Sequence, residues 1–411
     1  MRRVIRILLW TFAVVVLVIF IGWWAARPAA PDAFYAAPGS IPDKPGVLLR
    51  QENFERKVPP NARAWRILYT TTRADGAPTL ASAIVMTSSQ SLNQSSNQSS
   101  NEPRPIIAWT HGTTGVVPSC GPSLLPEPFQ YVPALDKLIE HNWIYVATDY
   151  SGQGAEGQNP YVIGEGEARS ALDAVRAARQ LEAIHANNRT VVWGHSQGGH
   201  AALWTGIVAP TYAPDVPIAG VVGIAPATDL PGLTDRIQHT TIGHVMTSFM
   251  LQAFSNAYSD VKVDDYTSGW KRLVARDIAS RCLADWRALY SVAEAQTVSD
   301  TIFKTSPTTG ALGKRLAENS PTKPITQPVM IAQGSSDELV FPDIQSQFVK
   351  QRCSAGQVIE YHRYDGLDHI AIVAPTSPLN EKLVQWTEDR INDRPFLSEC
   401  REESHGVASA K

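Results

Sequence analysis

The fold is decided by the stretch Val191-Val192-Trp193-Gly194-His195-Ser196-Gln197-Gly198-Gly199. An apolar, strand-forming run enters it, and a helix-forming run begins at His200. The Gly-x-Ser-x-Gly between them is typical of a tight strand-to-helix turn that presents a serine hydroxyl at the top of a sheet. Glycine is needed there because the serine has unfavourable backbone angles and nearby side chains would collide. The free N–H groups of the following helix favour negative charge at the same point.

Other apolar runs are spaced as strands that alternate with helices. A hairpin is predicted around Asp75-Gly76, between strands at 64–69 and 79–85. Residues 167–184 have apolar positions at helical spacing. Further strands are predicted at 105–110, 143–148, 218–225, 328–333 and 358–364. This alternation indicates an α/β fold with a mainly parallel sheet and helices on both faces.

The sequence divides into four segments. Residues 229–323 are mostly amphipathic and helical and lie between two sheet strands, so we expect an inserted helical cap or lid over the site. The core then comes from residues 31–228 and 324–411, and residues 1–30 form an N-terminal membrane anchor or signal. Residues 88–101 are a Ser/Asn/Gln tract with little apolar content, which predicts a disordered surface loop.

The N-terminal segment is basic and then apolar. The run from Ile7 to Ala26 has about 20 residues, the length that a helix needs to cross a bilayer. Arg2, Arg3 and Arg6 precede it and are expected to stay in the cytoplasm. Small residues between Ala25 and Ala30 offer a signal-peptide cleavage site as the alternative. We therefore expect an exported chain, anchored in the membrane through this helix, or secreted or periplasmic if the segment is cleaved.

Charge and cysteine content narrow the class of protein. The net charge is −3 and no long basic run occurs beyond the N-terminus, so a nucleic-acid partner is not expected. An even number of cysteines in an exported chain favours two disulfides, for which three pairings are possible. The cysteines are Cys120, Cys282, Cys353 and Cys400. Because no Cys-x-x-Cys occurs, a zinc or redox site is not expected.

A serine hydroxyl is a weak nucleophile and needs a base, usually a histidine that a carboxylate orients. After a turn of this kind the order along the chain is serine, acid, histidine. Asp337 follows the strand that ends at Gln333, and His369 follows the last predicted strand. Both positions lie on loops at the carboxyl ends of strands, where sites form in open α/β sheets. The predicted catalytic residues are therefore Ser196, Asp337 and His369.

Other acids and histidines are less suitable. Glu338 would point away from the turn that it shares with Asp337, and Asp368 is too close in sequence to His369. Asp229 is equally suited to cap the first helix of the cap. His195 and His200 are expected to pack near the site or support its residues. His362 lies inside a predicted strand, and His239 and His244 lie in the cap.

Two backbone N–H groups must stabilise the oxyanion of such a reaction. One is predicted at Gln197, directly after the nucleophile. The other is predicted in the His111–Gly115 loop, at Thr113 with Thr114 as the alternative.

An acyl pocket is predicted in the cap. The segment from Ile242 to Phe254 is apolar on more than one face, and a face not packed on the core would be exposed unless it lined a pocket. Phe249, Met250 and Phe254 recur at helical spacing with Met246 and are the predicted lining residues. The same spacing also suits residues that hold the cap on the core.

Taken together, these motifs resemble those of the secretory lipases. The resemblance runs from about residue 34 to about residue 387. It rests on His111-Gly-Thr-Thr-Gly115, Cys120-Gly-Pro-Ser123, Thr148-Asp-Tyr-Ser-Gly152, Pro160-Tyr161, Leu172 to Arg179, Gly194 to Gly199, Ala227-Thr-Asp-Leu230 and Gly334 to Asp337. It implies an α/β-hydrolase core with a helical cap that acts on carboxylic esters, with Ser196, Asp337 and His369 at the positions of the family's triad. It also implies the pairing Cys120–Cys282 and Cys353–Cys400.

The sequence therefore predicts an exported lipase or esterase that cleaves ester or acylglycerol substrates through an acyl-enzyme, without a metal or organic cofactor. One alternative is an acyltransferase or peptidase with the same triad. Another is a non-catalytic binding module of hydrolase fold, although such a module has no need to keep all three residues in this order.

Overall fold

A computed structural model describes residues 2–89 and 103–406, without the side chains of Arg2, Val4, Val15, Val16, Val18 and Ile19. Residues 90–101 of the predicted Ser/Asn/Gln loop lie outside these ranges.

A single ten-stranded sheet forms the centre of the described chain. Its strands are β1 (Leu48–Phe54), β2 (Ala62–Thr72), β3 (Pro78–Ser88), β4 (Arg104–Thr110), β5 (Ile144–Ser151), β6 (Ala186–His195), β7 (Ile218–Ile224), β8 (Val329–Gly334), β9 (Ile359–Tyr364) and β10 (Arg401–His405). Their spatial order is β1-β2-β3-β5-β4-β6-β7-β8-β9-β10. Strands β4 to β10 are parallel to one another, and β1, β2 and β3 extend the sheet in antiparallel fashion. This confirms the predicted, mainly parallel sheet.

Helices cover both faces of the sheet. The α-helices of the described chain are α1 (Arg2–Ala25), α2 (Leu135–Glu140), α3 (Gly164–Ala178), α4 (Gln197–Tyr212), α5 (Leu230–Ile237), α6 (Thr241–Ala257), α7 (Val263–Tyr266), α8 (Gly269–Ile278), α9 (Ala288–Gln296), α10 (Gly310–Asn319), α11 (Pro342–Ser354) and α12 (Leu379–Ile391). One face packs on α3, α4 and α11, and the other packs on α2 and α12. All eight residues of β5 are buried, because helices cover both faces of the sheet at this strand.

The segment between β7 and β8 contains only helices, α5 to α10, among the described residues. Its apolar side chains form a cluster of their own, to which α6 contributes Val245, Phe249 and Phe254. We call residues 229–323 the cap, and these bounds stay a prediction.

The predicted hairpin is present as β2 and β3, whereas the two edge strands were not predicted. Strand β10 has the sequence Arg401-Glu-Glu-Ser-His405, which lacks the alternation of apolar residues that marks a half-buried strand. It pairs with β9 at the edge of the sheet, where charged side chains remain in contact with water.

Two disulfides are present, and both follow the pairing that the resemblance implied. Cys120 is bonded to Cys282, which links the core to the cap. Cys353 is bonded to Cys400, which links the end of α11 to the start of β10. No cysteine of the described chain is free.

The expected membrane anchor over residues 7–26 is not supported. A span needs about 20 consecutive, predominantly apolar residues, and in the described part of the chain no helix is long and apolar enough to cross a membrane. The last turn of α1 contacts the cap, since the Trp23 indole N–H donates to Asp277 at 2.9 Å. Ala26, directly after α1, is buried.

Candidate active site

Ser196 occupies the turn between β6 and α4. Its backbone angles are φ 60° and ψ −122°, a conformation that is costly for a residue with a side chain. A Cβ on Gly194 would lie 2.0 Å from the Gly198 carbonyl oxygen, and a Cβ on Gly198 would lie 1.9 Å from that of Thr110. The two glycines therefore make the turn possible and place the serine at the first turn of a helix.

The three predicted catalytic residues lie together. The Ser196 hydroxyl lies 2.9 Å from His369 Nε2, and His369 Nδ1 lies 2.7 Å from Asp337 Oδ2. An ionised carboxylate can only accept hydrogen bonds, so Nδ1 carries the proton and Nε2 presents its lone pair to the serine hydroxyl. This is the tautomer that can take a proton from Ser196.

Asp337 is buried and held as a carboxylate. Burial pushes its pKa upward, but the hydrogen bond and charge of His369 and the amides of Leu339 and Val340 outweigh this, so the pKa is lowered. Those amides donate to Oδ1 at 2.9 and 2.8 Å. The Gln333 side-chain amide also donates to Oδ2, at 3.1 Å. Gln333 was predicted only as the end of a strand, and nothing in the local sequence pattern indicates this contact.

The competing acids lie elsewhere. Glu338 is exposed. Asp229 accepts the Gly232 N–H at 3.0 Å and caps α5. Asp368 accepts two amides of the turn that follows it, from Ile370 and Ala371. None of these carboxylates is hydrogen-bonded to His369.

His195 contacts His369 directly. Its Nε2–H donates to the backbone carbonyl oxygen of His369 at 2.8 Å, and the two ring centroids are 4.6 Å apart. Burial, together with the nearby charge of His369, lowers the pKa of His195 to about 3. His195 therefore stays neutral near pH 7 and supports the loop of His369.

His200 belongs to a buried polar cluster next to the turn of Ser196. Its Nδ1 lies 2.8 Å from a Glu167 carboxylate oxygen, and its Nε2 lies 2.8 Å from the Asn319 carbonyl oxygen of the cap. The other Glu167 oxygen accepts from the Gln197 side-chain amide at 2.7 Å. The cluster thus joins α3, the start of α4 and the cap.

The other histidines considered in the sequence make their contacts away from Ser196. His239 pairs with Asp300, and both ring nitrogens of His244 face carbonyl oxygens of the cap. His362 contacts Glu360 and His405.

Two amides are available for an oxyanion. Gln197 is the first residue of α4, where a backbone N–H has no partner within the helix. Among the described residues, neither the Gln197 amide nor the Thr113 amide donates to a protein acceptor. Thr113 lines both cavities beside Ser196, whereas Thr114 lines only the larger one.

Two cavities meet at Ser196. The larger has a volume of about 350 Å³, and its apolar wall includes Leu125, Ile242 and Ile370. The smaller has a volume of about 70 Å³ and lies toward the cap, against Leu230 and Met250. The residues that line both are Thr113, Ser196, Met246 and Leu339.

The predicted pocket residues need a correction. Met250 does line the smaller cavity, but Phe249 and Phe254 are fully buried in the apolar cluster of the cap and line neither cavity. The ring of Phe249 packs edge-on against Tyr161. Helical spacing put these side chains near one another but did not tell which face of α6 turns to the site. Met246, which shared that spacing, is the α6 residue that lines both cavities.

The chain is similar in sequence and in fold to known proteins. The chain is 24% identical over 396 residues to the secreted triacylglycerol lipase LIP3 of Malassezia globosa, covering 90% of this chain and 83% of that protein. It is 22% identical over 395 residues to a Mycobacterium tuberculosis protein described as a probable inactive lipase, covering 90% and 84%. Its fold is similar to that of Candida antarctica lipase A, with a TM-score of 0.71, 15% identity and coverage of 91% of this chain and 89% of that one. The family model of the secretory lipases matches residues 132–399, and the chain belongs to the secretory lipase family.

Proposed function

We propose that the chain is a serine hydrolase that cleaves carboxylic esters. The observation that carries the proposal is the continuous hydrogen-bond line from Ser196 through His369 to Asp337, with distances of 2.9 and 2.7 Å. A base within reach of the nucleophile and an acid that orients the base are the requirements for this chemistry.

In the proposed mechanism, His369 Nε2 takes the hydroxyl proton as Ser196 Oγ attacks the ester carbonyl carbon. The negative charge that develops on the carbonyl oxygen is stabilised by the amides of Gln197 and Thr113. His369 then gives the proton to the departing alcohol, which leaves an acyl group on Ser196. A water molecule, deprotonated by His369, releases the acid and restores the serine. Asp337 stabilises the imidazolium in both steps.

The walls of the two cavities favour apolar acyl groups. The larger cavity reaches Ser196 from the side of Ile242 and Leu125, and the smaller reaches it from beneath the cap. We infer that residues 229–323 act as a cap that shapes the acyl site, and that the substrates are lipid-like esters such as acylglycerols. The two disulfides favour an oxidising compartment, so we propose that the enzyme acts after export.

The test is labelling and hydrolysis by the purified chain. Wild type should react with a fluorophosphonate probe and hydrolyse p-nitrophenyl esters. Ser196→Ala should lose the label and lower kcat by about 10⁴ to 10⁶-fold. Ser346→Ala, a half-buried serine of α11, should behave as wild type. A wild-type chain that takes up no probe and cleaves no ester would instead identify a binding module. Ester formation in preference to hydrolysis, when an alcohol is added, would identify an acyltransferase.

A further inference from the structure

A second cluster of chemically active side chains lies at the edge of the sheet, where β9 and β10 run side by side. His362 is directly opposite Glu403 in the parallel register. His405 lies two residues after Glu403, so both project from the same face of β10. Each of His362, Glu403 and His405 offers one possible ligand atom, and these three atoms lie within 4.8 Å of one another. These residues take no part in the proposed ester hydrolysis.

The orientation of His362 is set by a carboxylate on its far side. His362 is fully buried, and its Nε2–H donates to Glu360 Oε1 at 2.9 Å. Glu360 is itself held by Lys382 Nζ at 2.8 Å and by the Trp386 indole N–H at 3.0 Å. The proton is therefore on Nε2, and the lone pair of Nδ1 faces Glu403 and His405. A carboxylate behind a histidine in this way is the usual outer support of a metal-binding imidazole.

The atoms that face His362 Nδ1 are potential ligands of a cation. Nδ1 lies 3.5 Å from Glu403 Oε2, and both atoms are acceptors. It lies 2.8 Å from His405 Nε2, which donates in the absence of a cation and can bind one after its proton moves to Nδ1 of the same ring. Tyr364 stacks on the His405 ring at a centroid distance of 4.6 Å and fixes its plane. The second oxygen of Glu403 pairs with Arg401, so Oε2 remains directed at the two histidines.

We propose that His362, Glu403 and His405 bind a divalent first-row transition-metal ion of the zinc type. Two imidazole nitrogens and one carboxylate oxygen are ligands that suit Zn²⁺ and its neighbours rather than Ca²⁺ or Mg²⁺, which prefer oxygen. Ligand atoms around a tetrahedral zinc are about 3.3 to 3.4 Å apart, given bonds of about 2.0 to 2.1 Å. The distances of 2.8 and 3.5 Å at His362 Nδ1 lie on either side of this value. The two imidazole nitrogens have to move slightly apart to reach it.

Binding of the ion by these three residues stabilises the edge of the sheet. The ion links β10 to β9 beside the disulfide Cys353–Cys400. The carbonyl oxygen of His405 also accepts the N–H of Asp365 at 2.9 Å, and Asp365 begins the loop that leads to His369. The metal site therefore has a structural role: it stabilises the end of β9, from which the loop of His369 begins.

The experiment is a Zn²⁺ titration of the untagged full chain after EDTA treatment and desalting, with a competing chromophoric chelator. Wild type should bind one Zn²⁺ per chain, and Zn²⁺ should raise its melting temperature. His405→Ala and Glu403→Gln should each weaken binding by about 100-fold or more and abolish the rise in melting temperature. Glu360→Gln, which leaves the three ligands in place, should weaken binding by about 10 to 100-fold.

Two controls separate this site from others. His185→Ala, at an exposed histidine outside the cluster, should bind as wild type. His369→Ala should also bind as wild type, because the ion does not use the triad. Absence of saturable binding by wild type overturns the proposal, and so does binding that His405→Ala and Glu403→Gln leave unchanged. In either case the cluster is a hydrogen-bond network in which His362 links Glu360 to His405.

Discussion

The Nε2–H of His195 donates to the backbone carbonyl oxygen of His369 at 2.8 Å. His195, directly before Ser196, thus supports the loop of His369, although 174 positions separate the two histidines in sequence. Both partners of the Ser196–His369 bond are therefore positioned from the same turn.

His195→Ala should lower kcat by about 10 to 100-fold with little change in KM, since a small displacement of a catalytic group has an effect of this size. His195→Gln places an amide donor near the position of Nε2 and should recover much of the loss. Steady-state kinetics on one p-nitrophenyl ester compares the three proteins. If both variants lost the same kcat, the missing hydrogen bond to His369 would not be the cause of the loss.

Acid stability should depend on the same histidine. The pKa of His195 falls from 6.5 in the unfolded chain to about 3 in the folded protein because of burial and the charge of His369. The unfolded chain therefore binds the proton first as pH falls. Above pH 6.5 the neutral His195 does not lower the free energy of unfolding. Below pH 6.5 the free energy of unfolding falls progressively, by about 1.4 kcal/mol per pH unit at most.

His111 should act in the same direction, because burial lowers its pKa to about 4. Urea unfolding of wild type and His195→Gln between pH 7 and pH 4 measures the effect. The variant should lose less stability over this range. If the free energy of unfolding fell equally with pH in both proteins, His195 would not be the cause of the loss.

The role of the acid can be separated from that of its neighbour. Asp337→Asn keeps the shape of the side chain but removes the charge that selects the tautomer of His369, so kcat should fall by about 10⁴-fold. Glu338→Gln, at the exposed neighbouring position, should retain kcat within a small factor. Circular dichroism confirms that both variants are folded. A comparable loss in both would exclude Asp337 as the specific partner.

Met246 should control the preference for acyl chain length. It lines both cavities at Ser196, so Met246→Ala enlarges the site and should shift kcat/KM toward longer esters. Phe249→Ala on the same helix removes a fully buried side chain of the cap cluster and should cost about 3 to 5 kcal/mol of stability. A series of p-nitrophenyl esters and urea unfolding distinguish the two effects. The reverse pattern would place the acyl site at Phe249.

The disulfides should contribute unequally to stability. Cys120–Cys282 joins positions 162 residues apart and Cys353–Cys400 joins positions 47 apart. Chain-entropy reasoning assigns about 5 kcal/mol to the first and about 4 kcal/mol to the second. Replacing each pair by serine and measuring guanidinium unfolding tests the order. Loss of the second pair alone should also weaken Zn²⁺ binding, because Cys400 adjoins β10.

Local sequence was sufficient for much of the site. The run from Val191 to Gly199 predicts its own turn because the steric demands of that turn fall on residues within it, as Gly194 and Gly198 show. Asp337 and His369 were predictable because both follow strands, and the carboxyl ends of parallel strands lie at one edge of a sheet. The buried strands were predictable because burial on both faces requires nearly continuous apolar runs.

Tertiary structure alone decided the contacts between segments distant in sequence. Helical spacing grouped Met246, Phe249 and Phe254, but only the packing of α6 on its neighbours determined that Met246 faces Ser196 and the phenylalanines face the cap interior. The register of β10 on β9 brought Glu403 and His405 to His362. Such contacts depend on the relative placement of whole elements, and no pattern within one element encodes that placement. The sequence by itself therefore determined the turn, the order of Ser196, Asp337 and His369 along the chain, and the parallel sheet. The tertiary structure determined the support of His369, the walls of the cavities at Ser196 and the histidine cluster at the sheet edge.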